Sequence, residues 1–223
     1  MKTVWLLCGL LLLLPCDTHA HGTLGGTADF IHGALHPLAT PFHLLLLIGL
    51  GLMGGREKIP QLISAMKAFV PGTFVGLAGV FFFSVPPVPS ALLAAASLGA
   101  GLFLAINKSP NPWGIGLVYG SSGFLMGIDS EVDAASALPL LKFLLGTWIS
   151  LSVIVFNAAF YASLVRERAW AKVGVRIAGS WIMAIGVLML AFSIRETRAS
   201  SPASPGAGAA PQQTAEAQMK NQN

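Results

Sequence analysis

Six long apolar segments constrain this chain more than any other feature of its sequence. The length of each segment is close to that of a transmembrane helix, which needs about 20 residues to cross the hydrocarbon core of a bilayer. The segments lie at about 28–54, 60–83, 88–106, 113–128, 138–164 and 172–194. Because lipid offers no hydrogen-bond partners to the backbone, apolar segments of this length are expected to be helical. The pattern predicts an all-α membrane protein with six transmembrane helices.

The composition agrees with a membrane protein and excludes an ordinary soluble domain. Hydrophobic residues make up 54% of the 223 residues and charged residues only 10%, whereas soluble domains carry about 25% charged residues. The net charge of +4 arises mainly from short loops between the segments, so membrane topology explains it better than nucleic-acid binding does. The expected surroundings are membrane lipid, and no nucleic acid is expected as a partner.

The N-terminus has the features of a secretory signal peptide. An apolar run from Val4 to Pro15 follows Lys2, and small residues precede a cleavage position after Ala20. Residues 1–20 are therefore predicted to be removed, and both cysteines of the chain are removed with them. The mature protein then has neither disulfides nor thiolate metal ligands.

The loops predict the orientation and the remaining domains. Lysine and arginine concentrate in the loops after the first, third and fifth segments, which the positive-inside rule assigns to the cytoplasm. Residues 21–198 are predicted to form the transmembrane domain of a multi-pass membrane protein. Residues 199–223, which are rich in Ser, Pro, Ala, Gly and Gln, are predicted to be a disordered extracytoplasmic tail.

The first segment is unusual because two prolines interrupt it. Pro37 and Pro41 lie between His36 and His43, and a broken helix exposes backbone carbonyls and helix ends of the kind that transporters use to bind ions. On an unbroken helix the two histidines would stand roughly 10 Å apart, too far for one ion. The break could bring them together, or they could act as successive stations. A buried histidine paired with a backbone carbonyl is the alternative that involves no metal.

Two other groups of residues add candidate metal ligands. His32 lies one turn before His36, with Asp29 three residues earlier, so these side chains share one helix face. Imidazole is a ligand for nickel, copper and zinc.

The second group lies at the end of the fourth segment. Ser122, Met126 and Asp129 are spaced i, i+4 and i+7 and therefore form one helical stripe. Met126 could equally be a filler of the hydrophobic core, and Asp129 could be a solvated loop acid. No Ser–His pair or paired carboxylates lie within a span, and no nucleotide-binding loop is present, so the chain is not expected to be an enzyme.

The order of these features resembles the HupE/UreJ family of nickel and cobalt permeases, which accompany hydrogenases and ureases. That family carries a histidine, five residues, and then an aspartate and a histidine in its first span. His36 and His43 hold the two histidine positions, and Phe42 stands where the aspartate is expected. The likeness extends to Gly33-Ala34-Leu35-His36-Pro37 and to Phe143-Leu144-Leu145-Gly146-Thr147.

A second motif of that family, Phe-His-Gly-x-Ala-His-Gly-x-Glu, is similar to residues 121–129 of this chain. Both glycines keep their places and Asp129 supplies the terminal acid, whereas Ser122 and Met126 stand where the two histidines would be. Replacing histidine by methionine softens a metal site and shifts its preference toward Cu(I).

The resemblance implies a secondary permease for a transition-metal ion, namely nickel, cobalt or, from the substitutions, copper. The ion is cargo, and no permanently bound cofactor is expected. Nickel-enzyme maturation proteins are the partners that the resemblance implies. The alternative function is a non-transporting membrane subunit, or an accessory factor of a metalloenzyme, that keeps the permease fold.

Overall fold

The computed structural model describes residues 29–83, 88–106, 110–130 and 136–200. Within these ranges the chain forms seven α-helices and no strands, so the all-α prediction is confirmed. The helices are α1 (Phe30–Ala39), α2 (Pro41–Arg56), α3 (Ile59–Phe82), α4 (Ser90–Ala105), α5 (Pro112–Ile128), α6 (Ala137–Val165) and α7 (Ala169–Ser200). The predicted signal peptide lies outside the described residues, as does the predicted tail beyond Ser200.

Each of the six apolar segments contains helix, but not every helix is long enough to count as a span. In the described ranges, three helices have the length and hydropathy to cross a bilayer, namely α3, α6 and residues 169–195 of α7. The α1–α2 pair provides a fourth candidate if its two bent halves form one span. Helices α4 and α5 have 16 and 17 residues and rise only about 25 Å, less than the about 30 Å of a hydrocarbon core. The count of six spans therefore remains a prediction.

Helix α7 extends beyond the segment that hydropathy assigns to it. The apolar segment was expected to end near residue 194 and the tail to begin at residue 199, whereas the helix continues to Ser200. Hydropathy reports which residues suit lipid, but helical hydrogen bonding continues through polar residues that favour a helix. The predicted boundary between membrane domain and tail thus falls inside a helix.

Helix α2 lies at the centre of the bundle. It packs mainly on α6 and α4, while the other helices form the pairs α3–α5, α4–α7 and α1–α6. Three leucines of α2 have no exposed surface, namely Leu46, Leu47 and Leu50. A burial this complete at the bundle axis holds α2 fixed relative to its neighbours, which positions the histidine at its start.

Small residues allow some helix pairs to approach closely. A Cβ added to Gly76 would lie 2.4 Å from the carbonyl oxygen of Phe124 in α5, and one added to Gly101 would lie 2.6 Å from a backbone nitrogen of α7. Gly79 and Gly99 have no such neighbour within 4 Å among the described residues. Of these four glycines, Gly76 and Gly101 therefore lie at close helix contacts, whereas Gly79 and Gly99 do not.

Candidate functional site at the break between α1 and α2

Two glycines hold α1 against α6. A Cβ at Gly33 would lie 1.9 Å from the carbonyl oxygen of Phe143, and one at Gly146 would lie 2.2 Å from the carbonyl oxygen of Phe30. No side chain larger than hydrogen fits at either position without a shift of backbone. The two helices therefore touch through their main chains, and this contact fixes the position of α1.

A hydrogen bond between the same helices compensates for a proline. Pro37 has no N–H, so the carbonyl of Gly33 receives no helical bond from residue 37. The hydroxyl of Thr147 donates to that carbonyl over 3.0 Å, and Thr147 is fully buried. The proline thus creates a free acceptor on α1, and α6 supplies its donor.

The chain bends by 77° between α1 and α2. Thr40 has extended backbone angles at the junction, and Pro41 occupies the first turn of α2, where its missing N–H costs nothing. The hydroxyl of Thr40 donates to the carbonyl of His36 over 3.0 Å and so satisfies one acceptor at the end of α1.

This bend brings the two histidines together. The ring centroids of His36 and His43 are 5.3 Å apart and the rings are nearly perpendicular, at 78°. His36 also packs edge-on against Phe143, with centroids 5.5 Å apart. The break therefore gives the closer of the two arrangements that the sequence left open, because it replaces two turns of straight helix by a corner.

A carboxylate from α5 completes the group. Asp129, the C-cap of α5, places Oδ2 3.1 Å from Nε2 of His43. His43 has no exposed surface, whereas the Asp129 side chain is 18% exposed. The aspartate thus connects a buried imidazole to the surface of the bundle.

Two buried nitrogen atoms of these imidazoles have no hydrogen-bond partner among the described residues, namely Nε2 of His36 and Nδ1 of His43. The remaining nitrogen of His43, Nε2, makes no aligned hydrogen bond but lies close enough to Asp129 for an ion pair, at 3.1 Å. Because buried polar atoms nearly always have partners, the two unpartnered nitrogens indicate a position where a ligand can bind.

The group does not form a compact preformed metal centre. In the part of the chain that the structure describes, no three His, Cys, Asp or Glu side chains are arranged to hold a metal ion together. His36 contacts His43, and His43 contacts Asp129, so the three side chains form a row with His43 in the middle.

The other residues of the predicted α5 stripe are buried near the bundle axis. Met126 is fully buried and belongs to the main hydrophobic core, and Ser122 is 4% exposed. The backbone carbonyl of Met126 accepts a hydrogen bond of 2.7 Å from the hydroxyl of Ser130. The placement of Met126 agrees with the core-filling alternative.

Asp29 and His32 lie at the other end of α1 and have a local structural role. The carboxylate of Asp29 caps the helix by accepting a bond of 2.9 Å from the backbone N–H of His32, and Nδ1 of His32 lies 3.0 Å from the same oxygen. The backbone N–H holds the pKa of Asp29 below its usual value, since a donor stabilises the charged form. Both side chains are more than a third exposed.

Sequence reasoning assigned no role to Tyr119 and Thr147. Tyr119 is 1% exposed and its hydroxyl donates to the backbone carbonyl of Leu50, which ties α5 to α2. A buried tyrosine hydroxyl requires a partner, so a tyrosine inside an apolar segment was the signal available. For Thr147, the signal was Pro37, because a proline leaves the carbonyl four residues earlier, that of Gly33, without its helical donor.

A family model described as HupE / UreJ protein matches residues 9–189. No curated protein and no solved structure gives a significant match.

Proposed function

The chain belongs to the HupE/UreJ family, and we propose that it is a secondary permease that carries nickel or cobalt ions across the bacterial inner membrane. The family implies a nickel or cobalt transport or accessory role and consists of membrane proteins rather than enzymes. The helices that are long and apolar enough to span a bilayer agree with a multi-pass protein.

The observation that supports transport most strongly is the row His36–His43–Asp129. Ionisable side chains inside the membrane domain are costly and usually mark an ion path. Here Nε2 of His36 and Nδ1 of His43 have no partner among the described residues, and the chain is bent between the two histidines. A structural histidine would be expected to have its nitrogens paired with protein groups.

The ligand types favour a borderline divalent ion. Two imidazoles and one carboxylate suit Ni²⁺ and Co²⁺, whereas Cu(I) favours thioether or thiolate sulfur. Phe42 removes the acid expected beside His43 in the first span, and Asp129 offers a carboxylate to the same imidazole from another helix. The candidate sulfur ligand for Cu(I) is Met126, whose side chain is packed in the core.

The proposed path begins at Asp129, whose side chain is 18% exposed. The ion exchanges its first water ligands for the carboxylate and for Nε2 of His43, and then reaches the buried Nε2 of His36. A pathway must bind an ion firmly enough to admit it and weakly enough to release it. A row of ligands without a compact cage meets this condition.

The membrane potential supplies a sufficient driving force. A divalent ion moving inward gains about 4.6 kcal/mol at a potential of 100 mV, so no nucleotide is needed. The cytoplasmic end of the path is the end of the bundle that carries Arg56 and Arg166, following the positive-inside rule.

A second candidate function is a non-transporting accessory subunit. The absence of a compact three-ligand group among the described residues favours it, because a subunit does not need to bind an ion. In that case the unpartnered histidine nitrogens would be retained from an ancestral protein that transported ions.

Metal uptake in cells separates the two functions. Cells that express the parent chain should accumulate radioactive nickel or cobalt above an empty-vector control, and His36→Ala and His43→Ala should each abolish the excess. His32→Ala is the matched control, because His32 lies on the same helix as His36 but pairs locally with Asp29. If both alanine variants take up metal like the parent while accumulating equally in the membrane, the permease proposal fails.

A further inference from the structure

A basic cavity lies at the opposite end of the bundle from the histidines. Arg56, at the end of α2, is one of its lining residues. His43 and Arg56 lie 13 residues apart on the same helix, which corresponds to about 20 Å. The cavity is thus separate from the candidate ion site, and its role does not depend on the proposed transport activity.

Charged and small apolar side chains line this cavity. Its volume is about 330 Å³, at the small end of the range for ligand pockets, about 300–1,000 Å³. Three cationic side chains face it, those of Arg56, Arg166 and Lys172, together with the carboxylate of Glu167. Because cations outnumber acids, the lining favours an anion.

The carboxylate neutralises only part of this charge. Glu167 lies 3.4 Å from Nε of Arg166 and 3.8 Å from Nζ of Lys172, and its side chain is 81% exposed. Exposed contacts of this length contribute little and exchange readily. The Nζ atom of Lys172, whose side chain is 63% exposed, is therefore available to an incoming anion.

Backbone contacts hold the arginines in place at the cavity. One guanidinium nitrogen of Arg166 donates to the carbonyl of Glu57 over 2.8 Å, and one of Arg56 lies 3.4 Å from the carbonyl of Phe103. Fixed guanidinium groups lose little freedom when they bind, and their forked donors match the geometry of phosphate. The N-terminus of α7, at Ala169, adds a partial positive charge beside the cavity.

The surroundings of the cavity are those expected at the depth of lipid headgroups. Trp170 follows the turn between α6 and α7 and is 67% exposed, and exposed tryptophans concentrate at membrane interfaces. Apolar Val175 and two alanines form the remainder of the lining. Basic pockets between helices on the cytoplasmic side suit the headgroups of anionic lipids.

We propose that the cavity of Arg56, Arg166 and Lys172 binds a phosphate-bearing anion, with the headgroup of an anionic phospholipid as its source. The phosphodiester accepts from the guanidinium groups, and Lys172 contributes a third contact. The acyl chains extend along the apolar outer surface of α7, where Val173 and Ile177 are more than half exposed.

Native mass spectrometry of the purified full-length protein tests this site. The probes are dioctanoyl phosphatidylglycerol, dioctanoyl phosphatidylcholine and inorganic phosphate, each titrated separately. Phosphatidylglycerol should bind saturably and more tightly than phosphatidylcholine, whose headgroup has no net charge. Lys172→Gln should weaken binding about fivefold, because one cation near the surface contributes about 1 kcal/mol, and Arg166→Gln combined with Lys172→Gln should weaken it further.

Arg168→Gln is the matched control. It removes one charge from the same turn, but Arg168 does not line the cavity, so binding should be unchanged. If inorganic phosphate displaces the lipid at a similar concentration, the cavity is an anion site, but its natural ligand is a soluble phosphate compound and not a lipid. The proposal is overturned if phosphatidylglycerol binds no more tightly than phosphatidylcholine, or if Arg168→Gln weakens binding as much as Lys172→Gln.

Discussion

Nε2 of His43 lies 3.1 Å from Oδ2 of Asp129, although the two residues belong to the first and fourth apolar segments of the chain. His43 is fully buried and Asp129 is partly exposed. An imidazole at this position can therefore exchange a proton or an ion with the surface through a single carboxylate. The family match does not give this contact between His43 and Asp129, which only the structure shows.

Replacing this carboxylate by an amide should reduce nickel uptake. Asp129→Asn keeps the size of the side chain but removes the negative charge that attracts a divalent ion to His43. We expect uptake at subsaturating nickel to fall about tenfold, in the range found when groups around metal sites are changed. Radioactive nickel accumulation measures it, with Asp129→Glu as the charge-retaining control. Equal uptake by the Asn variant and the parent would remove Asp129 from the path.

Returning an acid to the first span should compensate for that loss. In Phe42→Asp combined with Asp129→Asn, the carboxylate lies next to His43 in the chain, as in the family motif. Uptake of nickel should recover in part, since an oxygen ligand again accompanies the imidazole. Phe42 packs against the main core, so the amount of protein in the membrane is measured alongside. A well-accumulated double variant with no recovery would contradict the proposed equivalence of the two acids.

The contact between α1 and α6 should not tolerate a methyl group at Gly33. Gly33→Ala would place a Cβ 1.9 Å from the carbonyl oxygen of Phe143, so α1 must move away. Overpacking of this kind costs about 1–3 kcal/mol, and we expect a lower thermal midpoint of the purified protein. Gly79→Ala is the control, because no described atom lies within 4 Å of its added Cβ. Equal midpoints for the two variants would show that α1 is not held by this contact.

Removing the hydroxyl of Thr147 should leave a buried carbonyl without a donor. Thr147→Val keeps the shape of the side chain but deletes the 3.0 Å bond to the Gly33 carbonyl, which Pro37 has already deprived of its helical partner. We expect the free energy of unfolding to fall by about 1–3 kcal/mol. Unfolding by detergent titration measures this loss.

The control for this hydrogen bond is another buried hydroxyl. Ser97 donates to the carbonyl of Leu93 four residues earlier in the same helix, and that carbonyl keeps its helical partner. Ser97→Ala should therefore cost less than Thr147→Val. The explanation for Thr147 fails if the two substitutions destabilise the protein equally.

The mature protein is predicted to begin at His21. Small residues at positions 18 and 20 meet the requirement of signal peptidase, so N-terminal sequencing of the membrane-extracted protein should start with His-Gly-Thr. A retained Met1 would give a seventh span and overturn the assigned topology. The control is Ala20→Leu, which should block cleavage and leave a longer product.

The sequence alone determined the class of fold, the family and the two histidines. Helices follow from apolar segments because only internal hydrogen bonds satisfy the backbone in lipid, and this requirement is local, so it can be predicted from short stretches of chain. The break at Pro37 and Pro41 is local for the same reason, since each proline lacks an N–H.

Only the tertiary structure decided which residues meet. The distance of His43 from Asp129 depends on how α2 packs against α5, and the support of α1 depends on Gly33, Gly146 and Thr147 meeting across two helices. Such contacts arise from side-chain shapes far apart in the chain, and in lipid they depend on packing rather than on a hydrophobic pattern. For this reason the pattern predicted which segments are helical, but not that the carboxylate of Asp129 lies against His43.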